Sequence, residues 1–103
     1  MEIFKEDGRI VISRDGVEVA YISYETNSEE EITILKTFVE PIGRGQGLAK
    51  DLNEKMLDHI YENHIKKVNI LCSYSQNYYL KNKDKYNGVE VVLIEGENNV
   101  CSI

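Results

Sequence analysis

The 103-residue sequence lacks long apolar runs, and none of them approaches the roughly 20 residues of a membrane-spanning helix. It has a single proline and no low-complexity tract, which excludes a disordered, proline-rich chain. Its first residues, Met1 to Asp7, have neither the basic start nor the apolar stretch of a secretory signal. These absences predict one folded domain in the cytoplasm, with no membrane partner.

Cysteine and positive charge are both scarce. Cys72 and Cys101 lie far apart and form no CxxC pair, so we expect reduced thiols rather than a metal site or a disulfide framework. Acidic residues outnumber basic ones 18 to 12, which gives a net charge of -6. Because binding to a phosphate backbone needs clustered Lys and Arg, this balance argues against nucleic acid. A cationic partner is electrostatically easier.

The first part of the chain has the pattern of antiparallel strands. Four β-prone runs cover residues 3–6, 9–13, 17–24 and 32–39. Each of the first two gaps holds an Asp-Gly pair, which is a hairpin signal. The polar segment 25–31 is expected to be a turn, and Pro41 ends the fourth run.

The second part alternates helix and strand. From Gly47 to about Asn63, apolar residues recur every four positions, which indicates an amphipathic helix. A strand, a short helix and a last strand are expected at residues 67–72, 75–82 and 89–94. Strand, helix and strand in that order imply a crossover connection. The predicted fold class is therefore α/β (α+β). One domain is expected at residues 1–95, followed by a tail at residues 96–103.

A glycine loop, defined here as residues 44–49 with the sequence Arg-Gly-Gln-Gly-Leu-Ala, joins the fourth strand to the long helix. The N–H groups at a helix start have no intrahelical partner, and glycines let a large anion approach them. A dinucleotide-binding fold is excluded because four antiparallel-looking strands precede the loop. A P-loop is excluded because no Lys-Ser or Lys-Thr follows the glycines. The loop remains a candidate phosphate site.

Two blocks of the sequence resemble the GNAT acetyltransferases. The acetyl-CoA loop of that superfamily follows the pattern Arg/Gln-x-x-Gly-x-Gly/Ala, which Arg44, Gly47 and Ala49 match in register. The second block, Leu-Cys-Ser-Tyr at residues 71–74 with the aromatic residues after it, is similar to a signature of a very small, single-domain branch. The resemblance covers about residues 32–86 and implies a GNAT-like fold.

The resemblance implies an N-acetyltransferase that moves an acetyl group from acetyl-CoA to an amine of a small molecule or a peptide. The pantetheine arm of CoA is then expected beside the strand that ends at Val39, and the pyrophosphate at the loop. The implied cofactor-binding residues are Phe38, Val39, Arg44, Gly45, Gln46, Gly47, Leu48, Ala49 and Asn77. The implied catalytic residues are Cys72, as nucleophile or proton donor, and Tyr79, as the acid that protonates departing CoA. The phenol of its neighbour Tyr78 is the alternative acid. A small buried hydrophobe is the alternative for Cys72.

One position departs from the small branch. Members often carry His-Thr before the loop, whereas this chain has Lys36-Thr37. If the histidine contributes to proton transfer, its role is unfilled or reassigned here. Two alternatives therefore stay open: a module that binds CoA or acyl-CoA with little turnover, and a plain strand-to-helix turn without a ligand.

Overall fold

A computed structural model describes residues 1–96 and 103, so the predicted tail at 96–103 lies almost entirely outside the described residues. The elements in chain order are β1 (Glu2–Glu6), β2 (Arg9–Arg14), β3 (Val17–Ser28), β4 (Glu31–Val39), α1 (Leu48–Glu62), β5 (Lys67–Ile70), α2 (Ser73–Lys81) and β6 (Glu90–Leu93). Short 3-10 turns follow β4 and α2, at Pro41–Gly43 and Lys83–Tyr86. Neither α1 nor α2 is long and apolar enough to cross a membrane.

The described strands form one six-stranded sheet in the order β1-β2-β3-β4-β5-β6. The first four strands pair antiparallel through tight connections, as the Asp-Gly signals predict. β5 pairs parallel to β4, and β6 pairs parallel to β5. A parallel neighbour needs a crossover, and α1 supplies it between β4 and β5. The predicted α/β class, with an antiparallel meander followed by a strand-helix-strand unit, is confirmed.

β3 is longer than the sequence predicts. The segment 25–31 was expected to be a turn, but β3 continues to Ser28 and only the two glutamates that follow form the turn. Glu25 pairs with Thr33 of β4, and Thr33 Oγ1 donates a hydrogen bond to Asn27 Oδ1 at 2.7 Å. Cross-strand pairing supplies the stabilisation that the polar composition of this segment does not.

Both helices pack on one face of the sheet. A single apolar core contains alternate residues of the strands together with residues of α1 and α2. On β2, for example, Ile10 and Ile12 belong to this core, whereas Val11 between them points to the opposite face. Leu52 and Met56, from the predicted apolar stripe of α1, are almost fully buried in it. The opposite face of the sheet carries no described helix.

A buried chain of polar side chains ties the two helices to β4. Thr37, Asn53 and Ser75 are each at most 2% exposed. Ser75 Oγ donates to Asn53 Oδ1 at 2.7 Å, and Asn53 Nδ2 donates to the carbonyl of Ala49 at 2.9 Å. Thr37 Oγ1 lies 3.5 Å from Ser75 Oγ. We call these three side chains the buried polar chain. Each member has a partner, as buried polar groups require.

Substituting Asn53 with Leu is expected to destabilise the protein by about 1 to 3 kcal/mol, because the buried hydroxyl of Ser75 loses its acceptor. Urea denaturation measures the change. Asn77, which is exposed on α2, offers the matched control, since Asn77→Ala is expected to shift stability by less than about 0.5 kcal/mol. An Asn53→Leu variant as stable as the parent would contradict this role of the amide.

Removing the hydroxyl of Tyr78 is expected to change the stability of the protein in the opposite direction. Tyr78 is 6% exposed, and its Oη has no hydrogen-bond partner in the described part of the chain. Burial raises the pKa of its phenol, and the charge of Glu54 adds to the effect. Because an unsatisfied buried hydroxyl costs free energy, Tyr78→Phe is expected to leave stability unchanged or raise it by about 1 kcal/mol.

Tyr61→Phe is the comparison for this experiment. The hydroxyl of Tyr61 donates to the carbonyl of Lys85. Its removal therefore deletes a hydrogen bond, whereas the removal of the Tyr78 hydroxyl deletes none that the structure describes. A loss of about 1 kcal/mol is expected in thermal or urea unfolding. If both variants lose stability equally, the hydroxyl of Tyr78 has a partner that the structure does not show.

Candidate active site

The parallel strands β4 and β5 separate halfway along β4. Their last pair is Ile34 with Ile70, followed by one bond from the N–H of Leu71 to the carbonyl of Ile34 at 2.9 Å. β3 pairs with Ile34 and with Lys36 but skips Leu35, which is a β-bulge. A bulge bends its strand. The rest of β4 therefore diverges from the chain that enters α2, and we call this point the split. The split also explains why β5 ends at Ile70, whereas the sequence predicted a strand that continues to residue 72.

Beyond the split, no other described strand pairs with the edge of β4 that faces away from β3, and we call this stretch the open edge. Val39 pairs with Ala20 without a direct hydrogen bond, since the neighbouring bond runs from the N–H of Glu40 to the carbonyl of Val19 at 2.8 Å. In an antiparallel ladder, a residue of this kind turns its own N–H and C=O away from the partner strand. The same alternation applies to Thr37. Both residues therefore present backbone groups to the space that β5 leaves.

α1 begins within the glycine loop, at Leu48, and no described side chain caps it. Gly47 is the N-cap residue with φ of 77°, and Gly45 has φ of 80°. These are left-handed conformations that glycine adopts without steric cost. The first N–H groups of α1 have no intrahelical partner, and no side chain caps them. Together with the helix dipole, these donors make the loop a ready site for an anion.

A cavity of about 180 Å³ lies against these donors. It is lined by Val39, Gly43, Arg44, Gly45, Gly47, Leu48, Ala49, Lys50, Tyr74 and Ile103. A Cβ atom built on Gly45 or Gly47 would meet nothing within 4 Å, so the loop faces open space at both glycines. The structure thus brings six of the nine predicted cofactor-binding residues to one cavity, at the junction of β4, the loop and α1.

Gly43 closes the base of this cavity for a different reason. A Cβ on Gly43 would lie 2.9 Å from Leu48 Cδ1 and 3.3 Å from Val39 Cγ1. Only glycine lets the start of α1 approach the end of β4 this closely. These close contacts are not visible in the order of residues.

Arg44 and Gln46 hold the loop in place in different ways. Arg44 Nε donates to the carbonyl of Val39 at 3.0 Å and so occupies the last acceptor of the open edge. The side chain of Gln46 accepts from Arg14 Nη2 and donates to the carbonyl of Ile42 at 3.2 Å. Gln46 is not among the residues that line the cavity. Its side chain anchors the loop to the hairpin between β2 and β3.

Two further predicted cofactor-binding residues lie elsewhere. The ring of Phe38 is on the helix-free face of the sheet, with its centroid 5.6 Å from that of Tyr21. Asn77 is exposed on α2. Neither of them lines the cavity.

Tyr74 takes a place in the site that the sequence prediction did not give it. It lies in the first turn of α2 and faces the glycine loop across the cavity. Burial raises the pKa of its phenol, and the charges of Asp51 and Glu54 add to this. The phenol therefore stays protonated as a hydrogen-bond donor. The signal was present, since Tyr74 is the aromatic residue of the Leu-Cys-Ser-Tyr block.

The two predicted catalytic residues lie on α2 or at its start. Cys72 is fully buried, with its sulfur 3.3 Å from Thr37 Oγ1. Its sulfur is disulfide-bonded, so the reduced thiol predicted for Cys72 is wrong. Tyr79 is partly buried, and its ring packs edge-on against Tyr86 with centroids 5.0 Å apart. It follows Ser75 by one helical turn on α2, and it does not line the cavity.

Solved structures share this architecture. A GCN5-like putative N-acetyltransferase from Staphylococcus aureus is 26% identical, covers 94% of this chain and 91% of its own, and gives a TM-score of 0.62. A GNAT family N-acetyltransferase from Escherichia coli, solved in complex with CoA, is 20% identical over 88% of this chain and 67% of its own, with a TM-score of 0.58.

A third similar structure is the ribosomal-protein-S18-alanine N-acetyltransferase from Escherichia coli. It is 21% identical over 56% of this chain, with a TM-score of 0.52, and the match spans only 37% of that protein. At this identity the two Escherichia coli proteins show a common fold. A search of curated protein sequences gives no match.

The sequence model described as GCN5-related N-acetyl-transferase matches residues 9–89. The matched stretch begins at β2 and contains the split, the glycine loop and both helices. It covers most of the chain and every element that builds the cavity. The chain therefore belongs to the GCN5-related N-acetyltransferase, or GNAT, family.

Proposed function

We propose that this chain binds acetyl-CoA across the glycine loop and the split and transfers its acetyl group to an amine. Acetyl-CoA is the cofactor of the family. The observation that supports the proposal most is the convergence of two sets of backbone donors that have no hydrogen-bond partner among the described residues. The uncapped start of α1 supplies one set, and the open edge of β4 supplies the other.

The two sets of donors match the two ends of the cofactor. The cavity of about 180 Å³ holds only part of CoA, and its donors suit the pyrophosphate. Nε of Arg44 donates to the carbonyl of Val39, and its two Nη groups are available for a charge-assisted contact with a phosphate. The pantetheine arm then runs along the edge of β4 and pairs its amides with Thr37 and Val39. This direction puts the thioester at the split.

The reaction needs a neutral amine, a donor for the oxyanion and a proton for the leaving group. The amine nitrogen attacks the thioester carbon, and a backbone N–H of the open edge stabilises the oxyanion. The carbon–sulfur bond then breaks, and CoA leaves as a thiol with a proton from a phenol. The proton that the amine nitrogen loses passes through water to the phenolate and restores the phenol. We assign the proton to Tyr79 and a hydrogen bond to the bound cofactor to Tyr74. Cys72 takes no part, because a disulfide sulfur is not a thiolate.

Gly47→Asn tests cofactor binding with the backbone preserved. Asn tolerates the left-handed conformation of Gly47, but its side chain enters the cavity. We expect the Kd for CoA to rise at least about tenfold in isothermal titration calorimetry, since the side chain displaces the phosphate from its donors.

Gly16→Asn is the matched control for that experiment. Gly16 has φ of 79° and open space around it, but it lies in the hairpin between β2 and β3. Its substitution is expected to leave the Kd unchanged. Equal affinities of the two variants would place CoA elsewhere, and no heat from the parent at millimolar CoA would refute the proposal.

Two tyrosine variants separate binding from proton transfer. Tyr79→Phe is expected to lower kcat about 100-fold without changing the affinity for acetyl-CoA, because it removes the acid. Tyr74→Phe is expected to raise the KM for acetyl-CoA several-fold, since it removes a donor to the cofactor. Release of the CoA thiol with a panel of amines measures both. A Tyr79→Phe variant as active as the parent would leave Tyr79 as packing against Tyr86.

The same assay addresses the second candidate function, a CoA-binding module with little turnover. The departure at Lys36 favours it, because no histidine stands before the loop. Tight binding of acetyl-CoA without acetylation of any amine above background would establish the module. Acetylation of any amine at a rate that depends on the enzyme concentration would establish the enzyme.

A further inference from the structure

Two rows of side chains cross the helix-free face of the sheet. Register across β1 to β4 places an apolar row at Phe4, Val11, Tyr21 and Phe38. The same register places a polar row at Glu6, Arg9, Ser23 and Lys36. On β2, β3 and β4 both rows alternate with core residues of the same strands, so they point away from α1 and α2. The polar row ends at the split.

Cation–π contacts connect side chains of the polar row to rings of the apolar row. The rings of Tyr21 and Phe38 lie side by side, with centroids 5.6 Å apart. The guanidinium of Arg9 lies 5.0 Å from the Tyr21 centroid, and the ammonium of Lys36 lies 5.4 Å from that of Phe38. The two rings therefore form a flat apolar surface with a cation at each end.

The two cations differ in their charge partners. Arg9 is bonded to the carboxylates of Glu6 and Glu18, at 2.7 and 2.9 Å. Lys36 is exposed and has no carboxylate within 4 Å of its ammonium in the described part of the chain. Its charge is therefore free to pair with a ligand, whereas that of Arg9 is already used.

The position of Lys36 relates this charge to the reaction. Lys36 is the first residue after the bulge at Leu35, where β4 leaves β5. The helices cover the other face of the sheet, and the cavity for the phosphates lies at the start of α1. An amine that reaches a thioester at the split must therefore approach over the face that carries Lys36.

We propose that Lys36 binds a carboxylate of the acceptor, so that the acetylated amine belongs to a small amino acid. This inference rests on the proposed function and names its substrate class. The carboxylate pairs with the Lys36 ammonium, and the carbon skeleton lies against Phe38. The amine, a few bonds away, then faces the thioester. The reaction forms the C–N bond and breaks the C–S bond. CoA leaves as a thiol with the proton of Tyr79, and the proton lost by the amine passes through water to the Tyr79 phenolate.

The test compares each amino acid with its amide. Suitable pairs are glycine with glycinamide and β-alanine with β-alaninamide, which differ in the carboxylate but keep the amine. For the parent and for Lys36→Gln, kcat/KM for the acid is divided by kcat/KM for the amide, which gives one ratio for each protein. Comparing the two ratios cancels the intrinsic reactivity of each amine. We expect the ratio to fall about five- to tenfold in Lys36→Gln, the effect of one partly exposed charge-assisted contact.

Two further variants make the result specific to the site. Lys36→Arg keeps the charge and is expected to keep the preference for the acid. Lys67→Gln removes a lysine on the same face at the far end of β5 and is expected to leave the ratio unchanged. Acetyl-CoA affinity, measured by calorimetry, is expected to be the same in all variants.

Three results would overturn the inference. They are an unchanged ratio in Lys36→Gln, an equal fall of the ratio in Lys67→Gln, and an enzyme that binds acetyl-CoA but acetylates none of the acids. The last result leaves cofactor binding intact and refutes the substrate class alone. Absence of acetyl-CoA binding would instead refute the proposed function, and this inference with it.

Discussion

The bulge at Leu35 is the constraint on which the site depends. Full pairing of β4 with β5 would place a hydrogen bond on every backbone group of the β4 edge and would close the sheet. The skipped residue ends that pairing at Ile34 and turns the remainder of β4 aside. Backbone groups left without partners are costly unless water or a ligand satisfies them. The open edge thus leaves backbone groups of β4 accessible because β5 does not pair with this part of the strand.

The buried polar chain of Thr37, Asn53 and Ser75 compensates for the missing strand pairing. Thr37 points its side chain inward from the open edge to Ser75 of α2, and Ser75 in turn bonds to Asn53 of α1. These contacts join β4, α2 and α1 across the split through side chains, so the backbone edge stays available. A purely apolar contact would bury equal area without direction, whereas hydrogen bonds set the distance between the elements.

The parts of the fold with local signals could be predicted, and the parts that depend on pairing could not. The Asp-Gly hairpins, the period of α1 and the glycine loop each follow from residues close in sequence. The bulge has no such signal, since Leu35 lies inside an unbroken β-prone run. The extension of β3 to Ser28, the burial of Asn53 and the position of Tyr74 at the cavity all arise from contacts between distant segments.

The net charge of -6 shows why a global property is a weak guide to a local site. Charges on a protein surface are screened over about 8 Å at physiological ionic strength, so carboxylates remote from the loop act weakly on a phosphate there. The donors at the start of α1 are backbone groups, and their effect falls off within the first turn. At the split, likewise, Lys36 has no carboxylate within 4 Å among the described residues, so its own charge sets the local field. A net negative charge therefore does not exclude the binding of an anion, because each site is built from groups within a few ångströms.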